Sequence, residues 1–86
     1  AAGEDAITQT KDILKSIDSL LAEAGTDKSS LLTATIWLSD IQLFNEMNEV
    51  WDAWVDKDAA PTRACVESKL ASPKFVVEIA VTASVG

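Results

Sequence analysis

The chain has 86 residues, enough for one small domain, so a single hydrophobic core must carry the fold. At 48% hydrophobic and 24% charged it is not a disordered chain, and its composition is that of an ordinary globular protein. A net charge of -7, with seven scattered Lys and Arg residues, excludes the clustered basic surface that nucleic acid or an anionic membrane would require.

The chain contains no histidine and no tyrosine. A Ser-His-Asp triad, a Cys-His pair and most zinc sites are therefore ruled out, and no metal or cofactor is expected. Any catalysis must run on Arg, Lys, carboxylates, hydroxyls, a thiol or backbone groups. One cysteine cannot close an intrachain disulfide, which is compatible with a reducing cytoplasm, the expected location. No apolar run reaches the eighteen or so residues needed to span a bilayer. The opening "AAGEDAITQT" lacks the basic start and apolar core of a signal peptide. Without an initiator Met, the chain reads as a processed product or a fragment.

In chain order, the first predicted element is a helix from about Asp5 to Ala24. Ile13, Leu14, Ile17, Leu20, Leu21 and Ala24 follow the spacing of one buried face, and Gly25 supplies a left-handed stop. After the polar turn "TDKSS", "LLTATIWL" (31–38) reads as a central strand covered on both faces. Ser39-Asp40 offers an N-cap for a second helix, roughly Ile41 to Val55. On that helix Phe44, Met47, Asn48, Trp51, Trp54 and Val55 share a face, and all three tryptophans read as packing residues. "DKDAAP" is a loop, and "APTRACVESKL" (60–70) is a strand. After Ser72-Pro73, "KFVVEIAVTA" (74–83) gives the last strand.

The strand 60–70 carries Arg63, Cys65 and Glu67 at every second position, hence on one face. If the helices cover the Ala64/Val66 side and the Val77/Ile79/Val81 side, Glu78 joins those three on the opposite face. Val76 and Ala80 make that face too apolar for plain solvent exposure, so it is expected to meet another subunit, with the charges lining a pocket at the seam. From spacing alone, Arg63 reads first as half of an interface salt bridge with Glu67 or Glu78.

The segments "QTKDILKSIDSLLAEAG", "SSLLTATIWLSD", "FNEMNEVWDAW", "APTRACVESKL" and "VEIAVTA" together resemble the RidA/YjgF family of reactive intermediate deaminases. The resemblance covers nearly all of the chain from Gln9 onward. It is most specific at "PTRACVE" and "VEI", and is nearest to the bacterial YoaB-like branch. It implies one α+β domain of the chorismate-mutase-like fold over residues 1–86, a mixed sheet with two helices packed on one face. It also implies a homotrimer whose sheets form an inner barrel with pockets between subunits. The family's N-terminal strand hairpin, with its aromatic pocket residue, is not among these 86 residues, and its usual Leu-Pro is Leu70-Ala71 here.

The activity so implied is cofactor-independent hydrolysis of 2-imino acids, tautomers of enamines, to 2-keto acids and ammonia. Arg63 matches the arginine that clasps the substrate carboxylate, Cys65 the pocket cysteine, and Glu78 the acidic residue that holds or activates water. A planar guanidinium suits a carboxylate because it offers two parallel hydrogen bonds. Cys65 is expected to line the pocket rather than act as a nucleophile. The alternative is a non-catalytic small-ligand-binding or regulatory homotrimer on the same scaffold.

Overall fold

The computed structural model describes residues 5–85; part of the opening stretch read for a leader peptide, residues 1–4, lies outside them. The first helix, α1 (Ala6–Glu23), begins where Asp5 turns its carboxylate back to accept from Thr8 N at 2.8 Å. It ends where Gly25 adopts φ of +78°, so that Gly25 N and Thr26 N reach back to Ala22 O and Leu21 O at 3.1 and 2.9 Å. Leu14, Ile17 and Leu21 are buried as their spacing predicts, whereas Leu20 is 63% exposed and Ala24 is exposed. The buried stripe instead runs on through Thr10, Gln9 and Ala6.

Strand β1 (Leu31–Leu38) has the predicted bounds and lies at the centre of a three-stranded sheet. Helix α2 (Phe44–Trp54) follows a single 3-10 turn, Ile41–Leu43, so the expected start at Ile41 is a tighter turn. Asp40 fixes that turn by accepting from Gln42 N at 2.9 Å. Strand β2 (Thr62–Glu67) runs parallel to β1, and α2 supplies the crossover that a parallel pair requires. Strand β3 (Val77–Ala83) runs antiparallel to β1 on its other side, giving the order β2-β1-β3.

The last strand starts at Val77 rather than Lys74 because the preceding backbone is engaged elsewhere. Phe75 N closes a turn onto Ser72 O at 3.1 Å. Gln9 of α1, 1% exposed, then donates to Lys74 O and accepts from Val76 N, both at 2.8 Å.

Both helices lie on one face of the sheet. Ala34, Ile36 and Leu38 of β1 are buried beneath them with Met47, Trp51, Leu14 and Val77. Thr35 and Trp37, between them on the strand, are only half-buried. A central strand covered on both faces is therefore not what the chain forms by itself: one helical layer covers one face.

The register overturns the expected sharing of faces. Arg63, Cys65 and Glu67 stand beside Ala34, Ile36 and Leu38, and Val77, Ile79 and Val81 stand beside Leu38, Ile36 and Ala34. Paired residues project to the same side, so Arg63, Cys65 and Glu67 are on the helix side of the sheet. Glu78 pairs with Trp37 and projects to the open side, with Thr35, Ala64, Val66, Ala80 and Thr82. The helices do cover the Val77/Ile79/Val81 side as expected, but not the Ala64/Val66 side.

Candidate functional site

Strand β2 pairs only with β1, so among the described residues its outer edge is open and Arg63 stands at the rim of the helical layer. The chain's sole arginine is held there by α2. Its Nη1 donates to Asn48 Oδ1 at 2.6 Å, and its guanidinium carbon lies 5.6 Å from the Phe44 ring centre and 5.7 Å from that of Trp51. Phe44, Asn48 and Trp51 recur at the i, i+4, i+7 spacing of one helix face, and buried Met47 and Trp51 hold that face against the sheet.

Neither expected carboxylate neutralises Arg63 within the chain. Glu67 Oε1 instead accepts from Ile41 N at 2.9 Å, fixing the entry to α2. Glu78 is on the other side of the sheet. Arg63 lies level with Val81 of β3, three residues along from Glu78 and two strands away. With strands about 4.8 Å apart and about 3.3 Å per residue, the two backbones are roughly 14 Å apart, with side chains on opposite faces. The expected pairing of Arg63 with Glu78 in one pocket is thus not made inside one chain.

Cys65 is half-buried, packed against the core beside Ile36. Burial pushes its thiol above the ordinary value of 9.0, and the nearby Arg63 charge only partly offsets this. A neutral thiol fits the expected pocket-lining role and opposes a nucleophilic one. No group of three or more His, Cys, Asp or Glu among the described residues is arranged to hold a metal.

Three clefts of the single chain lie elsewhere. One of about 450 Å³ is formed by the loop after β2, from Glu67 to Phe75, against Ser39. Another of about 330 Å³ separates α1 from α2 around Trp54. Glu78 lines the rim of a smaller hollow of about 260 Å³ with Phe75 and Ile79. Arg63 lines none of these three.

Sequence reasoning placed Phe44, Asn48 and Trp51 on one helix face, read Trp51 as packing, and missed their hold on Arg63. The available signal was Asn48 itself, the one polar residue on an otherwise apolar helix face.

This framework can be set beside known proteins. The Endoribonuclease L-PSP family model matches residues 1–85. A crystal structure of a YjgF family member from Neisseria meningitidis superposes with a TM-score of 0.92 at 53% identity, over 94% of this chain and 68% of that one. The chain belongs to the YjgF family. RutC family protein YoaB of Escherichia coli (strain K12) is 47% identical over 81 residues, covering 94% of this chain and 71% of that protein. A RutC family protein of Haemophilus influenzae is also 47% identical over 81 residues, 94% of this chain and 70% of that protein. These relatives bear out the expected YoaB-like affinity, and the α+β fold of the family is the one formed here. The chain spans about 70% of the length of these curated relatives. No helix among the described residues is long and apolar enough to cross a membrane.

Proposed function

We propose that the protein hydrolyses 2-imino acids, the tautomers of reactive enamines, to 2-keto acids and ammonia at clefts between the subunits of a homotrimer. The supporting observation is Arg63: a guanidinium held in place by an amide and two aromatic rings, with neither Glu67 nor Glu78 neutralising it. A fixed cation with unused forked donors, in a protein of net charge -7, favours binding of a small carboxylate.

The chemistry asks for little more. Protonated imines are already electrophilic, so water adds to the C=N carbon without a metal or covalent intermediate. A carbinolamine forms, its nitrogen takes up a proton, and collapse to the C=O expels ammonia. Glu78 holds the attacking water and accepts its proton, an assistance worth typically about 10²–10⁴-fold. Because Arg63 and Glu78 of one chain are on opposite sheet faces, a working cleft takes Arg63 from one subunit and Glu78 from a neighbour. The open β2 edge and the uncovered sheet face are the surfaces that an assembly would use.

The ribonuclease named by the family model is a poorer fit. A chain of net charge -7 with a single arginine has no phosphate-binding track. A second reading, ligand binding without turnover, is favoured by the separation of Glu78 from Arg63 within one chain.

A coupled assay separates the two. A pyridoxal-phosphate threonine dehydratase supplies 2-iminobutyrate, and 2-ketobutyrate release is followed with wild type and Arg63→Ala. Acceleration by wild type, lost by at least about 10²-fold in kcat/KM in an Arg63→Ala variant that keeps its assembly, is expected. Equal rates with and without wild type would contradict the enzyme reading.

A further inference from the structure

The partners of Arg63 form a short relay. Asn48 Oδ1 accepts from Arg63 Nη1 at 2.6 Å, while Asn48 Nδ2 donates to Asp52 Oδ2 at 3.2 Å. We propose that Asn48 and Asp52 are positioning residues that aim the Arg63 guanidinium at a ligand carboxylate while leaving its positive charge unspent. This inference rests on reading Arg63 as a carboxylate clamp.

An asparagine amide presents an acceptor on one side and donors on the other. Its neighbours here are opposite in kind: Arg63 has only donors to offer and the Asp52 carboxylate accepts. A single orientation satisfies both, with oxygen toward Arg63 and nitrogen toward Asp52. Asp52 is one helical turn beyond Asn48 on α2, so the helix sets the spacing of the relay.

The identity of residue 48 then matters more than its shape. A carboxylate at this position would grip the guanidinium as an ion pair and compete with an incoming carboxylate. A neutral amide holds the same geometry without that competition. Phe44 and Trp51 act in the same sense, since ring faces attract the cation without neutralising it. Three uncharged partners thus orient Arg63, and the one acid of the relay, Asp52, acts through the amide.

The test is calorimetric titration of the native assembly with 2-ketobutyrate, for wild type, Arg63→Ala, Asn48→Asp, Asp52→Ala and Asp52→Asn, each checked for folding by thermal melt. Asn48→Asp, close to isosteric, is expected to bind at least about tenfold more weakly at pH 7. That deficit should shrink as the pH falls and the introduced carboxylate takes up a proton. Asp52→Ala is expected to weaken binding about threefold, and Asp52→Asn, which keeps an acceptor oxygen, to recover most of it. The introduced carboxylate also faces Asp52. The relay therefore further predicts that the deficit and its pH dependence persist in an Asn48→Asp/Asp52→Asn double variant, where a merely structural clash of the two acids is gone. Asn48→Asp binding as wild type does, or a deficit that is constant with pH, would overturn the relay while Arg63→Ala still loses binding. Binding retained by Arg63→Ala, or absent from wild type, would instead overturn the clamp reading on which the relay rests.

Discussion

Arg63 and Cys65 are two residues apart on one strand and have opposite electrostatic circumstances. Arg63 is a cation at an open rim, and Cys65 is a thiol whose burial outweighs the attraction of that cation. Because the Cys65 pKa is raised, the folded state favours the neutral thiol. Its contribution to stability is present below the ordinary thiol range and is lost as pH rises through the folded-state value. Iodoacetamide is therefore expected to modify Cys65 slowly near pH 7, with a rate still climbing above pH 9.0. Cys65→Ser should keep turnover within about tenfold, because pocket lining needs no thiolate. Fast alkylation at neutral pH, or complete loss of activity, would give the thiol a chemical role. At this scale the sequence was informative in part. Alternation along β2 correctly grouped Arg63, Cys65 and Glu67, but Glu78 was added to the group wrongly. A strand's own pattern shows which residues share a face. Only pairing with the neighbouring strand shows which faces coincide, and pairing is a long-range property.

Among the elements, α1 and β1 were the most legible. Asp5, Gly25 and the Leu14–Ile17–Leu21 spacing are local signals, and they place α1 to within a residue at each end. The start of β3 was not legible, because it depends on Gln9, more than sixty residues earlier. A buried glutamine on α1 looks like a misplaced polar residue until its partners are known. Two of its bonds go to backbone of the 74–76 segment, so it sets where that segment stops turning and joins the sheet. Gln9→Ala would leave Val76 N and Lys74 O without these bonds in a nearly closed space. A loss of about 1–3 kcal/mol in chemical denaturation is expected. An unchanged denaturation midpoint would show that water replaces the side chain without cost.

For the whole molecule, one helical layer on a three-stranded sheet explains why the chain has a core and still presents an incomplete site. The composition already pointed to one small domain, and the apolar content of the last strand pointed to a covered face. The mistake lay in placing the whole pocket on that face. The helix side carries Arg63, the proposed carboxylate clamp, the open side carries Glu78, and a single chain cannot fold one onto the other. Assembly is then a chemical requirement of the proposed site as well as a way to cover the sheet. The most direct measurement is subunit complementation, mixing Arg63→Ala and Glu78→Gln proteins after dissociation and reassembly and following 2-iminobutyrate hydrolysis. Each variant alone should be impaired, and random mixtures within the proposed trimer should recover about a quarter of wild-type activity, because about one cleft in four then combines an intact Arg63 with an intact Glu78 from its neighbour. No recovery, in mixtures shown to exchange subunits, would contradict a site shared between chains.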